Sequence, residues 1–153
     1  MAPTHGVSEG LRLTEAELAA WGERFGRTCR APLVVALDGE LGAGKTTLAR
    51  AICRGFGVTE EVTSPTFALV HQYEAPDAPV YHVDLYRLSG PRDLTNLGWD
   101  DIMTDRALVL VEWPDRAADR LPAAVARLSL SHDAGAPDVR VLHVAGTATG
   151  AGG

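Results

Sequence analysis

The chain has one lysine. Its 14 Lys+Arg residues are all arginine except Lys45, so arginine serves wherever a general surface cation is wanted and a single position holds lysine. Cysteine is nearly as scarce. Cys29 and Cys53 form no C-x-x-C pair and no Cys/His cluster, which argues against a disulfide framework or a zinc site and for reduced thiols in a cytosolic protein. No apolar run approaches the ~18 residues that a membrane span needs, and no charged-then-apolar leader opens the chain. These absences predict a cytoplasmic protein without a membrane partner. Basic charge is also short: 20 acidic against 14 basic residues leave a net charge of -6. That balance argues against wrapping nucleic acid over a broad basic face, and leaves room for a local basic site or for docking to a partner that binds RNA. What is present is ordinary for a globular domain, with 46% hydrophobic and 22% charged residues in 153. The length predicts one domain, residues 1–145. The closing "GTATGAGG", residues 146–153, has nothing to bury and is expected to be a disordered tail.

Thr14 followed by Glu17 is a capping-box pattern opening a helix, with Leu18, Trp21 and Phe25 at core-facing spacing. "PLVVALDG" (32–39) and "ALVLVE" (107–112) are continuous apolar runs, the mark of strands buried on both faces. A helix is predicted within "GKTTLARAICRGFG", turning Leu48, Ile52 and Phe56 inward and stopping at Gly57. "TFALVHQYEAPDAPVYHVDLYRL" reads as two strands joined by a turn, and "VARLSLSH" with "DVRVLHVA" as a closing antiparallel pair. Between Ser89 and Thr104 the pattern weakens to a short helix over Pro91–Leu97.

Gly39 to Thr46 is a complete G-x-x-x-x-G-K-[ST] match, set between a buried strand and a helix start. Gly39, Gly42 and Gly44 allow a tight turn in which the backbone of Leu41, Ala43 and their neighbours aims N–H groups into one concavity. The helix dipole adds to the pull on phosphate. Here the lone lysine finds its reason. A compact ammonium on a flexible stem folds back over such a loop as a point charge, where a planar guanidinium does not. Thr46 is expected to place its hydroxyl on Mg²⁺, and Thr47 to support an α-phosphate contact. Glu112, the acid closing "LVLVE", is the first candidate to hold Mg²⁺, directly or through water. Asp84 in "YHVDLYR" is the second, for a metal-bound or an attacking water, and the sequence leaves the two roles undivided. Thr66, in "VTSPTFALV", stands where nucleotide switches place a γ-phosphate sensor, the alternative being a plain Ser64-Pro65 turn. His82 on an alternating strand reads as structural rather than catalytic, and Trp113 as core or as a wall against nucleotide or partner. A guanine-reading N-K-x-D motif needs a second lysine, so ATP is favoured over GTP.

Four segments in order, "GELGAGKTT" (39–47), "SPTFALV" (64–70), "HVDLYRL" (82–88) and "VEWPDR" (111–116), resemble the bacterial tRNA threonylcarbamoyladenosine biosynthesis ATPase, the TsaE (YjeE) family. "DLTNLGWDD" also resembles a family segment, and the likeness runs from about Leu13 to Arg140. The resemblance implies a P-loop NTPase-like three-layer α/β sandwich with a mixed parallel and antiparallel central sheet. It implies a Mg²⁺-dependent ATPase that works on partner proteins of the tRNA threonylcarbamoyl transferase complex, which modify N6 of adenosine 37. Contact with tRNA is indirect, through that complex. By motif position Lys45, Asp84, Glu112 and Thr66 carry the chemistry, Thr46 and Glu112 hold the metal, and Glu15 lies near the adenine. The family's Gly-Arg pair is absent, Val139 preceding Arg140, so a nucleotide contact is not carried over to Arg140. Two other functions fit the residues: a small-molecule kinase with an Arg lid drawn from Arg87, Arg92 and Arg106, and a nucleotide-gated scaffold.

Overall fold

The computed structural model describes residues 10–40, 42–62, 70–122 and 125–146. Leu41, the Ser64-Pro65-Thr66 turn and residues 147–153 of the expected tail lie outside the described residues. The first apolar run forms β2 (Leu33–Gly39), and "LVLVE" forms β5 (Leu108–Glu112) parallel to it, with Leu37 opposite Glu112. β4 (Val80–Asp84) lies parallel beyond β5, and β6 (Ala126–Asp133) parallel beyond β2. Around these four, β3 (Val70–Tyr73) pairs antiparallel with β4, and β7 (Ala136–Gly146) pairs antiparallel with β6. β1 (Leu11–Thr14) closes the far edge, giving the order β1-β7-β6-β2-β5-β4-β3. The sheet is mixed, as expected.

Alternation along the central strands divides their side chains between two cores. Val35, Leu37, Val80, Leu108 and Leu110 pack with Leu48, Ile52 and Phe56 of α2 (Lys45–Phe56). Val34, Ala36, Val83, Val109 and Val111 pack with Leu94, Trp99 and Ile102, from α3 (Pro91–Asn96) and α4 (Trp99–Thr104). The result is three layers: α1 (Glu15–Thr28) and α2, the sheet, then α3, α4 and a 3-10 helix (Pro114–Arg120).

Helix α1 opens with the expected capping box, Thr14 Oγ1 accepting the Glu17 N–H at 3.2 Å while Glu17 Oε1 accepts the Thr14 N–H at 2.9 Å. Helix α2 stops at Gly57, whose φ of 113° is the left-handed cap the sequence predicts. Three elements were not predicted. β1 is only four residues, mostly exposed, and ends on the same Thr14 that caps α1. Helix α4 and the 3-10 helix are too short for periodicity to register, and they are joined by the Trp99 Nε1–H donating to the Arg120 carbonyl at 3.0 Å. At the C-terminus Gly146 pairs with Ala126, so the last strand runs one residue into the expected tail.

The contact between α1 and α2 depends on absent side chains. A Cβ on Gly26 would stand 2.2 Å from the Ile52 carbonyl oxygen, and one on Gly55 2.1 Å from that of Glu23. Both obstacles are backbone, so neither can swing aside. Gly55→Ala is therefore expected to push the helices apart at a cost of about 1–3 kcal/mol, the range of an overpacked core. The check is a thermal melt, with Tm expected to fall by about 2–4 °C for each kcal/mol lost.

Candidate functional site

At the carboxyl ends of β2, β4 and β5 a cleft of about 1350 Å³ opens, bounded by α1, α2 and β7. The switch from one parallel neighbour of β2 to the other places the cleft where open α/β sheets hold ligands. Gly39 leaves β2 with φ 147°, and a Cβ there would meet the Leu130 carbonyl oxygen at 2.5 Å, so only glycine turns the chain here. Gly42 and Gly44 follow at φ 78° and 103°.

The two helices that border the cleft begin differently. Helix α1 has a full capping box and acidic Glu15 and Glu17 in its first turn. Helix α2 has no side-chain cap and no acid in its first turn, and its first backbone bond is from the Leu48 N–H to the Gly44 carbonyl. An end without acid or cap suits an incoming anion.

Lys45 is only 6% exposed. Its Nζ donates to the Gly39 carbonyl and stands 3.9 Å from the centre of the Trp113 ring. Burial pulls the ammonium below the ordinary lysine range, and Glu112, Asp38 and Asp84 push it back upward. Trp113 holds φ 58°, a strained value for a non-glycine residue, and this aims its ring between Lys45 and Tyr86, whose ring centre is 4.9 Å away.

The two acids are neighbours by register. Asp84 closes β4 directly opposite Glu112 closing β5. Glu112 is 4% exposed, and its Oε2 lies 2.6 Å from Nε2 of the fully buried His82. Asp84 is less enclosed, and its Oδ1 accepts the Tyr86 N–H at 3.0 Å. Desolvation raises the Asp84 pKa above the usual carboxylate range, with Glu112 adding to it, while the Tyr86 N–H, His82 and Lys45 draw it down. A carboxyl whose folded pKa is raised weakens the fold once the pH passes that pKa. Asp84→Asn, which keeps the acceptor for Tyr86, is thus expected to raise Tm at neutral pH without ligand. The gain should shrink as pH falls through the carboxylate range, because the wild-type group is then neutral too. Melts at pH 7.5 and pH 4 check the sign.

Of the residues predicted for the site, Glu15, Gly42, Gly44, Lys45, Thr46, Thr47, Asp84 and Glu112 line the cleft. Gly39 and the fully buried Ala43 shape the turn from behind. Leu41 and Thr66 lie outside the described residues. Tyr86, Arg87, Trp113, Asp138 and Arg140 also line the cleft. Arg140 reaches in from β7, with Nη1 donating to the Pro137 carbonyl at 2.9 Å and Nη2 3.5 Å from the Gly42 carbonyl. The resemblance pointed to this arginine but did not carry a nucleotide contact over to it, because the glycine that precedes it in the family is Val139 here.

Among the described residues no three His, Cys, Asp or Glu side chains cluster as a metal cage. Thr46, Asp84 and Glu112 are a sparse, all-oxygen set. Such a set fits Mg²⁺, which is held by one or two carboxylates together with substrate phosphates rather than by a protein cage. Among the described residues no helix is long and apolar enough to cross a membrane.

Sheet order, glycine turn and cleft define the class as a P-loop NTPase-like three-layer α/β sandwich. Residues 13–140 match the family described as Threonylcarbamoyl adenosine biosynthesis protein TsaE, and the chain belongs to that family. It is 41% identical over 134 residues to the tRNA threonylcarbamoyladenosine biosynthesis protein TsaE of Streptomyces coelicolor, covering 86% of this chain and 88% of that protein. It is 40% identical over 99 residues to the protein of the same name from Nostoc, covering 62% of this chain and 60% of that protein. Its backbone also resembles the crystal structure of YdiB from Bacillus subtilis, with a TM-score of 0.79 at 25% identity over 97% of this chain and 93% of that one. The family resemblance drawn from four short motifs is borne out, and with it a role in threonylcarbamoyladenosine biosynthesis.

Proposed function

We propose that this chain binds Mg-ATP in the cleft and hydrolyses it, and that hydrolysis acts on a partner protein complex that threonylcarbamoylates adenosine 37 of tRNA. The observation that carries the reading is the start of α2: uncapped, free of acid, beside a buried lysine and facing two carboxylates in register. Backbone N–H groups from Gly42 to Thr47 hold the phosphates. Lys45 leaves the Gly39 carbonyl and the Trp113 face for the β- and γ-phosphates, exchanging a neutral acceptor for a charged one. Thr46 and Glu112 would hold Mg²⁺, which would supply neutralisation of charge developing on the transferring phosphoryl group. Asp84, on the next strand end, orients the attacking water. Glu15 and its neighbours at the start of α1 border the adenine, and Arg140, paired with Leu13 just before that start, adds a cation beside them. Thr66 is assigned the γ-phosphate-sensing role. Cytoplasmic location follows from a tRNA-modifying role.

Arg87 lines the cleft, but the segment that would carry the rest of a kinase lid is packed elsewhere, which disfavours that reading. The 89–104 segment packs into the sheet face opposite α2, with Leu94, Trp99 and Ile102 buried there. Arg106 is tied to Asp77, its Nη1 donating to the Asp77 carbonyl at 3.1 Å. Phosphate release from ATP without any acceptor tests the proposal, measured with and without Mg²⁺ and with and without the partner complex. Metal-dependent release stimulated by the partner is the expected result. Transfer of the phosphoryl group to a metabolite would mean a kinase.

A further inference from the structure

His82 has no place in the sequence motif chemistry, yet it is 0% exposed on β4, two residues before Asp84 and on the same face of the sheet. Its neighbours toward the core are the apolar Val80, Leu108 and Leu110, while His71 stands opposite it on β3 and Asp84 and Glu112 follow toward the cleft. A buried polar ring costs stability unless it is bonded, and this one is bonded at a single atom. Nε2 lies 2.6 Å from Glu112 Oε2, while Nδ1 has no hydrogen-bond partner among the described residues. A carboxylate in the ionised form that a metal requires only accepts, and opposite that form Nε2 of His82 is the donor. Glu112 meanwhile still lines the cleft. The side chain thus spans from the core to the site, with one of its oxygens fixed from below.

We propose that His82 is a positioning residue that holds the Glu112 carboxylate in the orientation needed to receive the magnesium ion. A free glutamate samples several rotamers, and each metal-binding event would have to select one. The bond to His82 makes that selection in advance, as partners of metal-ligating side chains do. The inference rests on the Mg-ATP reading above and adds a residue to it.

Two isosteres separate positioning from general packing. Glutamine places its amide nitrogen where Nε2 stands, whereas asparagine is one carbon shorter and falls short of Glu112. The probe is Mn²⁺ binding to the ATP-loaded protein, read by electron paramagnetic resonance, alongside ATP affinity in EDTA and a thermal melt. His82→Asn is expected to weaken Mn²⁺ about 10- to 100-fold, the range seen when such outer partners are lost, and His82→Gln to stay within about 3-fold of the wild type. ATP affinity in EDTA is expected to be the same in all three. The inference is overturned if His82→Asn binds Mn²⁺ as the wild type does, if His82→Gln loses as much as His82→Asn while folded, or if metal-free ATP affinity falls in parallel. Wild-type protein that binds no Mn²⁺ with ATP would instead remove the Mg-ATP reading itself, and this inference with it.

Discussion

Glu112→Gln is expected to abolish ATP hydrolysis while ATP still binds. The substitution preserves shape, and the new amide can still meet Nε2 of His82, so the fold stays intact. What is lost is one full negative charge at the metal. A metal that stabilises developing phosphoryl charge contributes several kcal/mol, so a fall in kcat of about 100-fold or more is expected. Single-turnover hydrolysis and equilibrium ATP binding, measured on the same protein, separate the two effects. In cells the variant should still dock on the partner complex and yet fail to restore threonylcarbamoyladenosine in tRNA. A scaffold whose turnover is incidental would give the opposite result, with docking and tRNA modification both retained.

Lys45→Ala is expected to remove most of the nucleotide affinity. Lys45 is 6% exposed and bordered by the Gly39 carbonyl, the Trp113 ring and the nearby carboxylates, so a phosphate brought to it is paired largely out of water. Truncating one partner of such a pair costs about 2–5 kcal/mol, which is about 30-fold or more in Kd. Lys45→Arg is expected to fail almost as badly. A guanidinium is broad and planar and cannot act as a compact point charge folded over the glycine turn. Calorimetric titration of ATP into the three proteins checks both. Recovery of affinity by arginine would mean that only charge matters here, and the scarcity of lysine in the sequence would lose its explanation.

Much of this was readable in the chain before folding. Val34 to Leu37 and Leu108 to Val111 are apolar without interruption because both faces of β2 and β5 are covered, and that signal survives in one dimension. The glycine turn and α2 were equally plain, since positive φ and helix stops demand particular residues nearby in sequence. Other features exist only once strands pair. His82 and Glu112 are thirty residues apart and meet because β4 and β5 run parallel in one register. Arg140 comes to the glycine turn from ninety-eight residues away, along β7, which β6 brings alongside. β1 was hidden for a different reason: its last residue is also the cap of α1, and the helix signal dominates a four-residue edge strand.

The grip of α2 on a triphosphate can be read amide by amide. In ¹⁵N-labelled protein titrated with Mg-ATP, the N–H resonances of Gly42, Gly44, Lys45, Thr46 and Thr47 are expected to move together and furthest, with those of α3 and α4 nearly still. Saturating Mg-ATP that leaves these five amides in place, or that shifts another surface instead, would contradict the assignment of the cleft.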